Sequence, residues 1–136
     1  MTSEGTLTIG DIARAAGVNT ETIRYYESIG LLRQPAKPPR GWRRYGPDAE
    51  QRIRFIKRAQ QLGFSLAEVK KLLRLRASEN PRTCANVARR AKEKLSEIDA
   101  KIRDLQAMRA VLVELADACP GEGPGDKCPM LASLGA

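Results

Sequence analysis

The chain has 136 residues, which suffices for one domain with or without an oligomerising arm and excludes a multidomain enzyme. Its 24 Lys and Arg against 16 Asp and Glu give a net charge of +8, which predicts a polyanionic partner, with ordinary solubility charge as the alternative. Three Cys and no His exclude mechanisms that need imidazole, so we expect no enzyme. The aliphatic composition favours a mainly helical protein.

The sequence shows no targeting or membrane signal. Residues 1–7 lack the basic and apolar regions of a signal peptide, and no stretch approaches the roughly 18 apolar residues of a membrane span. We therefore expect a cytoplasmic protein without a membrane partner. Its thiols would stay reduced, and an odd number of Cys then indicates metal binding, redox sensing or simple burial rather than disulfides.

The positive charge is concentrated in the first part of the chain. Residues 1–80 hold 15 Lys and Arg against 8 Asp and Glu, whereas residues 81–136 hold 9 against 8 and contain all three Cys. We therefore expect residues 1–80 to form a domain that binds an anion such as nucleic acid.

Two short helices near the amino terminus form a helix-turn-helix pattern. Thr8 and Asp11 form a capping-box pattern for a helix from Ile9 to Gly17, and Asn19 is a second N-cap, for residues 20–29. Two short helices joined by a Gly-containing turn are typical of DNA-binding domains. We expect the outward face of the second helix to present Thr22, Arg24, Tyr25 and Tyr26 to the major groove.

The next segment predicts a small β wing. Residues 33–40 contain three prolines and so favour an extended edge strand, and Gly41 permits a turn. A short strand then places two cations between two aromatic residues, which suits a wing along a phosphate backbone: Trp42, Arg43, Arg44 and Tyr45. The alternative is a solvated hairpin on which Trp42 and Tyr45 cover the core.

Three further helices follow. One is expected from Pro47 to Leu62, another capped by Ser65 extends to Arg76, and residues 77–82 form a break. The third, over residues 83–118, would be about 50 Å long. Its apolar residues recur at steps of three and four, as in a coiled coil. They are Val87, Ala91, Leu95, Ile98, Ile102, Leu105, Met108, Leu112 and Leu115.

This long helix predicts a homodimer. It cannot bury its apolar residues against a core of this size, and the Gly- and Pro-rich residues 119–136 cannot supply a partner helix. The same helix of a second subunit is therefore the expected partner. The predicted fold class is mainly all-α with a small β wing: a winged helix-turn-helix domain (1–80), a long antiparallel coiled-coil dimerisation helix (81–118), and a metal-binding loop and tail (119–136).

The cysteines favour the antiparallel arrangement. Cys84 lies at the start of the long helix, Cys119 lies at its end, and Cys128 follows nine residues later. In an antiparallel dimer, Cys84 of one subunit meets Cys119 and Cys128 of the other, which gives two three-sulfur sites for a soft metal. The absence of His and of a fourth Cys argues against a four-ligand structural zinc site. The alternatives are small buried side chains and thiols that form a disulfide on oxidation.

Long motifs in the chain resemble a known family. TIGDIARAAGVNTETIRYYESIGLL, RRYG and RFIKRAQQLGFSLAEVKKLL are similar to the MerR family of bacterial transcription regulators across residues 7–76. The three cysteines with their spacing, and the closing CPMLASL, resemble the mercury-responsive branch of that family. The chain departs from the family pattern at the bulky Trp42, in ANVARR after Cys84, which lacks the usual acidic pair, and at Ala116, where an extra cysteine is common.

The resemblance implies how such a protein acts. A dimer binds near-palindromic promoter DNA in the bacterial nucleoid, represses without inducer, and activates RNA polymerase with inducer by distorting the DNA. It implies Hg(II) as the inducer ligand, held by three thiolates from both subunits: Cys84, Cys119 and Cys128. It implies operator contacts by Arg24, Tyr25, Tyr26, Arg43, Arg44 and Tyr45. The alternatives are a sensor of cadmium, lead or zinc, and a thiol redox sensor.

Overall fold

A computed structural model describes residues 5–135 of the chain. Residues 1–4, which belong to the segment that we predict is not a signal peptide, and Ala136 lie outside the described residues. The described part is mostly helical. Its helices are α1 (Ile9–Ala16), α2 (Thr20–Ser28), α3 (Pro47–Gln61), α4 (Leu66–Arg76), α5 (Thr83–Ala118) and α6 (Pro129–Ser133), with a 3₁₀ turn at Gly125–Lys127. None of the helices in this part is both long and apolar enough to span a membrane.

The chain divides into two compact units between Val87 and Ala88. In the first unit, α1 to α4 surround an aliphatic core, as the composition predicts. The largest completely buried side chains come from all four helices and the loop after α2: Ile12, Ile23, Leu31, Ile53, Ile56 and Val69.

The start and end of α1 follow the predicted capping pattern. The Asp11 N–H donates to Thr8 Oγ1 at 3.2 Å, and the Thr8 N–H donates to Asp11 Oδ2 at 3.0 Å. These hydrogen bonds with Thr8 hold the pKa of the Asp11 carboxyl below its usual value. Gly17 ends α1 with φ +70°, a left-handed conformation that favours glycine. Asn19 then caps α2 by accepting from the Thr22 N–H at 2.8 Å.

Three cations of α3 hold the other elements of the first unit in place. Arg54 donates to the Ala15 carbonyl at 2.7 Å, and Lys57 donates to the Gly17 carbonyl at 3.0 Å. Arg52 donates to the Leu31 carbonyl at 2.7 Å. Two of these contacts place positive charge at the carbonyl end of α1, where the helix dipole favours it. Part of the basic charge of this unit therefore supports the fold.

The segment from residue 33 to residue 45, here called the wing loop, differs from the prediction. No β-strand forms within residues 5–135, so the predicted short strand at residues 42–45 is wrong. Tyr45 instead makes an isolated antiparallel bridge with Leu7, in which the Tyr45 N–H donates to the Leu7 carbonyl at 2.7 Å. The prolines of the loop lack the N–H groups that a second strand would need. Arg43 fastens the loop by donating to the Pro35 carbonyl at 3.0 Å.

The predicted long helix is present with the expected bounds, Thr83 to Ala118, and all but its first five residues belong to the second unit. We call its recurring apolar residues the apolar stripe. Nearly all of them are exposed, and Leu105 is 62 % exposed. After α5 the chain forms the 3₁₀ turn and the short α6, which the sequence did not predict.

Candidate functional site

Two of the four residues predicted to lie on the outward face of α2 are exposed to solvent. Tyr25 is 53 % exposed, and the Arg24 side chain extends into solvent while forming an ion pair with Glu21. Thr22 is half-buried, and its hydroxyl donates to the Asn19 side chain at 2.8 Å. The face therefore offers a guanidinium and an aromatic ring, and Thr22 also stabilises the start of the helix.

Tyr26 does not face outward, which corrects the sequence prediction. It is 4 % exposed, and its hydroxyl donates to Gln60 Oε1 on α3 at 3.0 Å. Burial raises the pKa of this phenol. Tyr26 follows the fully buried Ile23 by three residues, so helical periodicity places both on the same face. Its side chain serves the core rather than a surface that could contact DNA.

Tyr45 is likewise a core residue, so its predicted side-chain contact with DNA also needs correction. It is 2 % exposed, and its hydroxyl donates to Glu27 Oε1 on α2 at 3.0 Å. Burial, together with the hydrogen bond to Glu27, raises the pKa of Tyr45 to about 12. This contact joins the wing loop to α2. Sequence reasoning missed Glu27, although its position four residues after Ile23 could have indicated the inner face of the helix.

We expect Tyr45→Phe to lower the free energy of unfolding at pH 7 by about 1 kcal/mol, because Glu27 loses its donor. The raised pKa adds a pH dependence. The neutral phenol is favoured in the folded state, so its stabilising effect is complete below pH 10 and declines as the pH rises toward about 12. Urea unfolding at pH 8 to 12 should show a shallower decline in the variant. Tyr25→Phe removes an exposed hydroxyl and is the matched control; an equal effect there would contradict the assignment.

The rest of the wing loop exposes cations and one aromatic ring. Arg44 is exposed and Arg43 is half-buried, while Trp42 is 76 % exposed. Of the two aromatic residues, only Tyr45 covers the core, so the alternative of a hairpin covering the core with both is wrong for Trp42. The wing loop thus presents positive charge beside an unburied indole.

The three cysteines are free thiols that solvent can reach. Cys84 and Cys119 are exposed and Cys128 is half-buried. Cys84 lies in the first turn of α5, whereas Cys119 directly follows its last residue. This exposure is unlike that of cysteines that serve as small core side chains, which are among the most buried residues in proteins.

The structure brings two of the predicted metal ligands together. The Cys119 side chain lies close enough to Cys128 to help lower the pKa of its thiol. Backbone N–H groups of Leu131 and Met130, followed by the Cys119 thiol, hold the pKa of Cys128 below its usual value. Soft metal ions bind the thiolate form, so this pair suits such an ion. Within residues 5–135 of one chain, no group of three or more Cys, Asp or Glu is placed to hold a metal.

Comparisons with known proteins agree with these features. Sequence profiles match residues 7–75, described as MerR HTH family regulatory protein, and residues 50–115, described as MerR, DNA binding. The mercuric resistance operon regulatory protein of Pseudomonas fluorescens is 48 % identical over 128 residues, covering 94 % of this chain and 87 % of that protein.

Two metal-bound crystal structures are also similar. One is the transcriptional regulator MerR from Bacillus megaterium MB1 in complex with mercury(II), which is 35 % identical with a TM-score of 0.71, covering 96 % of this chain and 100 % of that one. The other is the regulator PbrR691 from Ralstonia metallidurans CH34 in complex with lead(II), at 30 % identity and a TM-score of 0.81, covering 95 % and 99 %.

Proposed function

The chain belongs to the MerR family of transcription regulators, and from this premise we propose that it is a mercury(II)-responsive regulator of a mercury-resistance operon. The family and the matched relatives are transcription regulators rather than enzymes, as the absence of His led us to expect. The protein is a metal-responsive regulator of this type. The proposal concerns its metal, its ligands and its DNA contacts.

The single observation that carries the metal proposal is that two solvent-accessible free thiols, Cys119 and Cys128, lie close enough to interact. Two thiolates alone leave a soft ion short of the three-sulfur set that we propose. Cys84 is exposed and, in the first turn of α5, available to a second subunit. Cys84 of one subunit would therefore hold Hg(II) together with Cys119 and Cys128 of the other. When bound, the ion would supply a link between the subunits.

The apolar stripe supports the antiparallel homodimer that this site needs. Its exposed residues extend along α5 from Val87 to Leu112, and two such stripes would bury each other. Only an antiparallel pair places the first turn of one α5 beside the last turn of the other. The same contact would therefore bury the stripe and complete two metal sites.

The DNA contacts that we propose combine α2 with the wing loop. Arg24 and Tyr25, with Thr22 at the start of the helix, would face the major groove, while Arg43 and Arg44 would contact phosphates. On near-palindromic promoter DNA the metal-free dimer would repress. The metal-bound dimer would distort the DNA so that RNA polymerase can use the promoter, which depends on DNA deformability as well as base contacts.

A reporter gene behind the cognate promoter tests the choice of metal. We expect induction by Hg(II) at lower concentration than by cadmium, lead or zinc. A stronger response to lead or cadmium would replace mercury with that ion, and the similarity to the lead(II) complex makes lead the main alternative. Transcription by purified protein with oxidant and no metal provides a separate arm. Activation there would favour a redox sensor in which the added oxidant takes two electrons from the Cys119 and Cys128 thiols and so converts them to a disulfide.

We expect Arg24→Ala to reduce the preference for operator over random DNA by roughly 10- to 100-fold, because an arginine on this face can read a base edge. Competition binding with operator and scrambled duplexes measures this preference. Glu21→Ala is a useful control because it removes only the ion-pair partner of Arg24. An unchanged preference in the Arg24 variant would count against α2 as the recognition helix.

We expect Arg44→Ala to weaken binding to every sequence and to lower the salt dependence of the binding constant by about one unit. The reason is that an exposed guanidinium of the wing loop would contact a phosphate, which carries no sequence information. Binding isotherms at several salt concentrations, for operator and scrambled DNA, measure both effects. A loss confined to the operator sequence would show that Arg44 reads bases instead.

A further inference from the structure

The wing loop carries an exposed aromatic side chain that the proposed function does not use. Trp42 is 76 % exposed, the highest exposure recorded among the large apolar side chains of the described residues. It follows Gly41, whose φ of +87° is a left-handed conformation that favours glycine. The apolar surface of this indole is not buried within its own unit and remains in contact with water. A partner that covers it would therefore gain the free energy of burying that surface.

Trp42 lines two pockets together with cationic side chains. One pocket beside it, of about 160 Å³, is lined by Arg24 of α2 and by Arg43. A second pocket, of about 460 Å³, is lined by Lys37 and again by Arg43. Trp42 therefore lines pockets together with Arg24, which we expect to read bases, and with Arg43, which we expect to contact a phosphate.

The charge of the loop identifies the class of partner. Residues 33–44 contain five cations, Arg33, Lys37, Arg40, Arg43 and Arg44, and no acidic residue. The acidic residue that lines the smaller pocket, Glu27, accepts a hydrogen bond from the buried Tyr45. A second copy of the same loop would bring like charges together, whereas DNA offers phosphates for the cations and sugars or bases for the ring.

We propose that Trp42 is a DNA-contacting residue that packs its indole against the sugars or base edges of operator DNA next to the groove entered by α2. This inference rests on the proposed DNA binding and adds to it an apolar contact that the charge of the wing loop does not supply. The cations fix the loop on the phosphates, and the ring then contributes affinity through contact with a sugar or a base.

The test uses the fact that Trp42 is the only tryptophan in the chain. Full-length protein is titrated with a near-palindromic duplex from its promoter, and binding is followed independently by the anisotropy of labelled DNA. At saturation we expect the tryptophan emission to change and its quenching by acrylamide to fall. We expect Trp42→Ala to weaken binding about tenfold, and Trp42→Phe to retain most of the affinity because it keeps a ring.

Leu62→Ala is the matched control, since Leu62 is also exposed and apolar but follows α3. It should bind DNA as the unchanged protein does. Normal binding by anisotropy with unaltered tryptophan emission and quenching would overturn the inference and leave the proposed function intact. Emission that changes with protein concentration in the absence of DNA would assign the ring to a second copy and also overturn it. Failure to bind any promoter duplex would instead overturn the proposed function.

Discussion

Cys128→Ala should abolish tight binding of Hg(II) in the presence of excess competing thiol. The variant retains Cys119 and Cys84 but would lose one of the three proposed sulfur ligands, the one whose thiolate is stabilised by two backbone N–H groups. We expect the loss of affinity to exceed the roughly 10- to 100-fold that follows removal of an outer hydrogen-bond partner of a metal ligand. Ultraviolet absorption of the metal–thiolate bonds and competition with the thiol measure the affinity.

Met130→Leu provides the matched control for this variant. Met130 lies two residues after Cys128, contributes sulfur without being a proposed ligand, and is close to leucine in volume. Its Hg(II) affinity should be unchanged. If Cys128→Ala bound as tightly as the unchanged protein, the three-thiolate site would be wrong, whatever the behaviour of the DNA-binding domain.

Leu105→Glu should dissociate the dimer and with it remove operator binding. Leu105 is 62 % exposed in the single chain and lies in the middle of the apolar stripe. In the proposed antiparallel pair the carboxylate of the introduced glutamate would be buried without a partner, which costs roughly 3 kcal/mol or more. Dimerisation would therefore weaken by more than about 100-fold. Analytical ultracentrifugation measures the dissociation, and DNA anisotropy measures the consequence.

Ala107→Glu separates the loss of dimerisation from a general effect of charge. It introduces the same residue two positions further along α5, at an exposed position outside the stripe. The Ala107 variant should remain dimeric and bind DNA. A dimeric Leu105→Glu protein would show that the subunits associate through another surface, and the shared metal site would then lose its structural basis.

The helices of this chain could be predicted because their boundaries are specified locally. The capping pairs Thr8 with Asp11 and Ser65 with Glu68 each form the reciprocal hydrogen bonds that their spacing predicts. The start and end of α5 were predicted from an uninterrupted pattern of apolar residues, which lies between the break at residues 77–82 and the Gly- and Pro-rich residues 119–136. None of these features needs a contact between distant parts of the chain.

The wing loop and the tyrosines could not be assigned correctly because distant residues decide them. Tyr45 pairs with Leu7 through the backbone and with Glu27 through its hydroxyl. Tyr26 depends on Gln60, 34 residues later. An aromatic residue beside cations is typical of a DNA-binding surface, but the same residue serves the core when a helix supplies a hydrogen-bond partner. The proximity of Cys119 to Cys128 likewise depends on the turn formed between them.

The cations that α3 donates to backbone carbonyls affect how mutations of basic residues should be interpreted. Arg52, Arg54 and Lys57 belong to the basic part of the chain, but each has a hydrogen-bond acceptor within the fold. Replacing one of them would remove a hydrogen bond that holds the carbonyl end of α1 or the loop after α2, whether or not the side chain also contacts a DNA phosphate. Reduced DNA affinity in an alanine scan of α3 would therefore report displacement of the recognition helix, and thermal unfolding distinguishes that cause from the loss of an electrostatic contact.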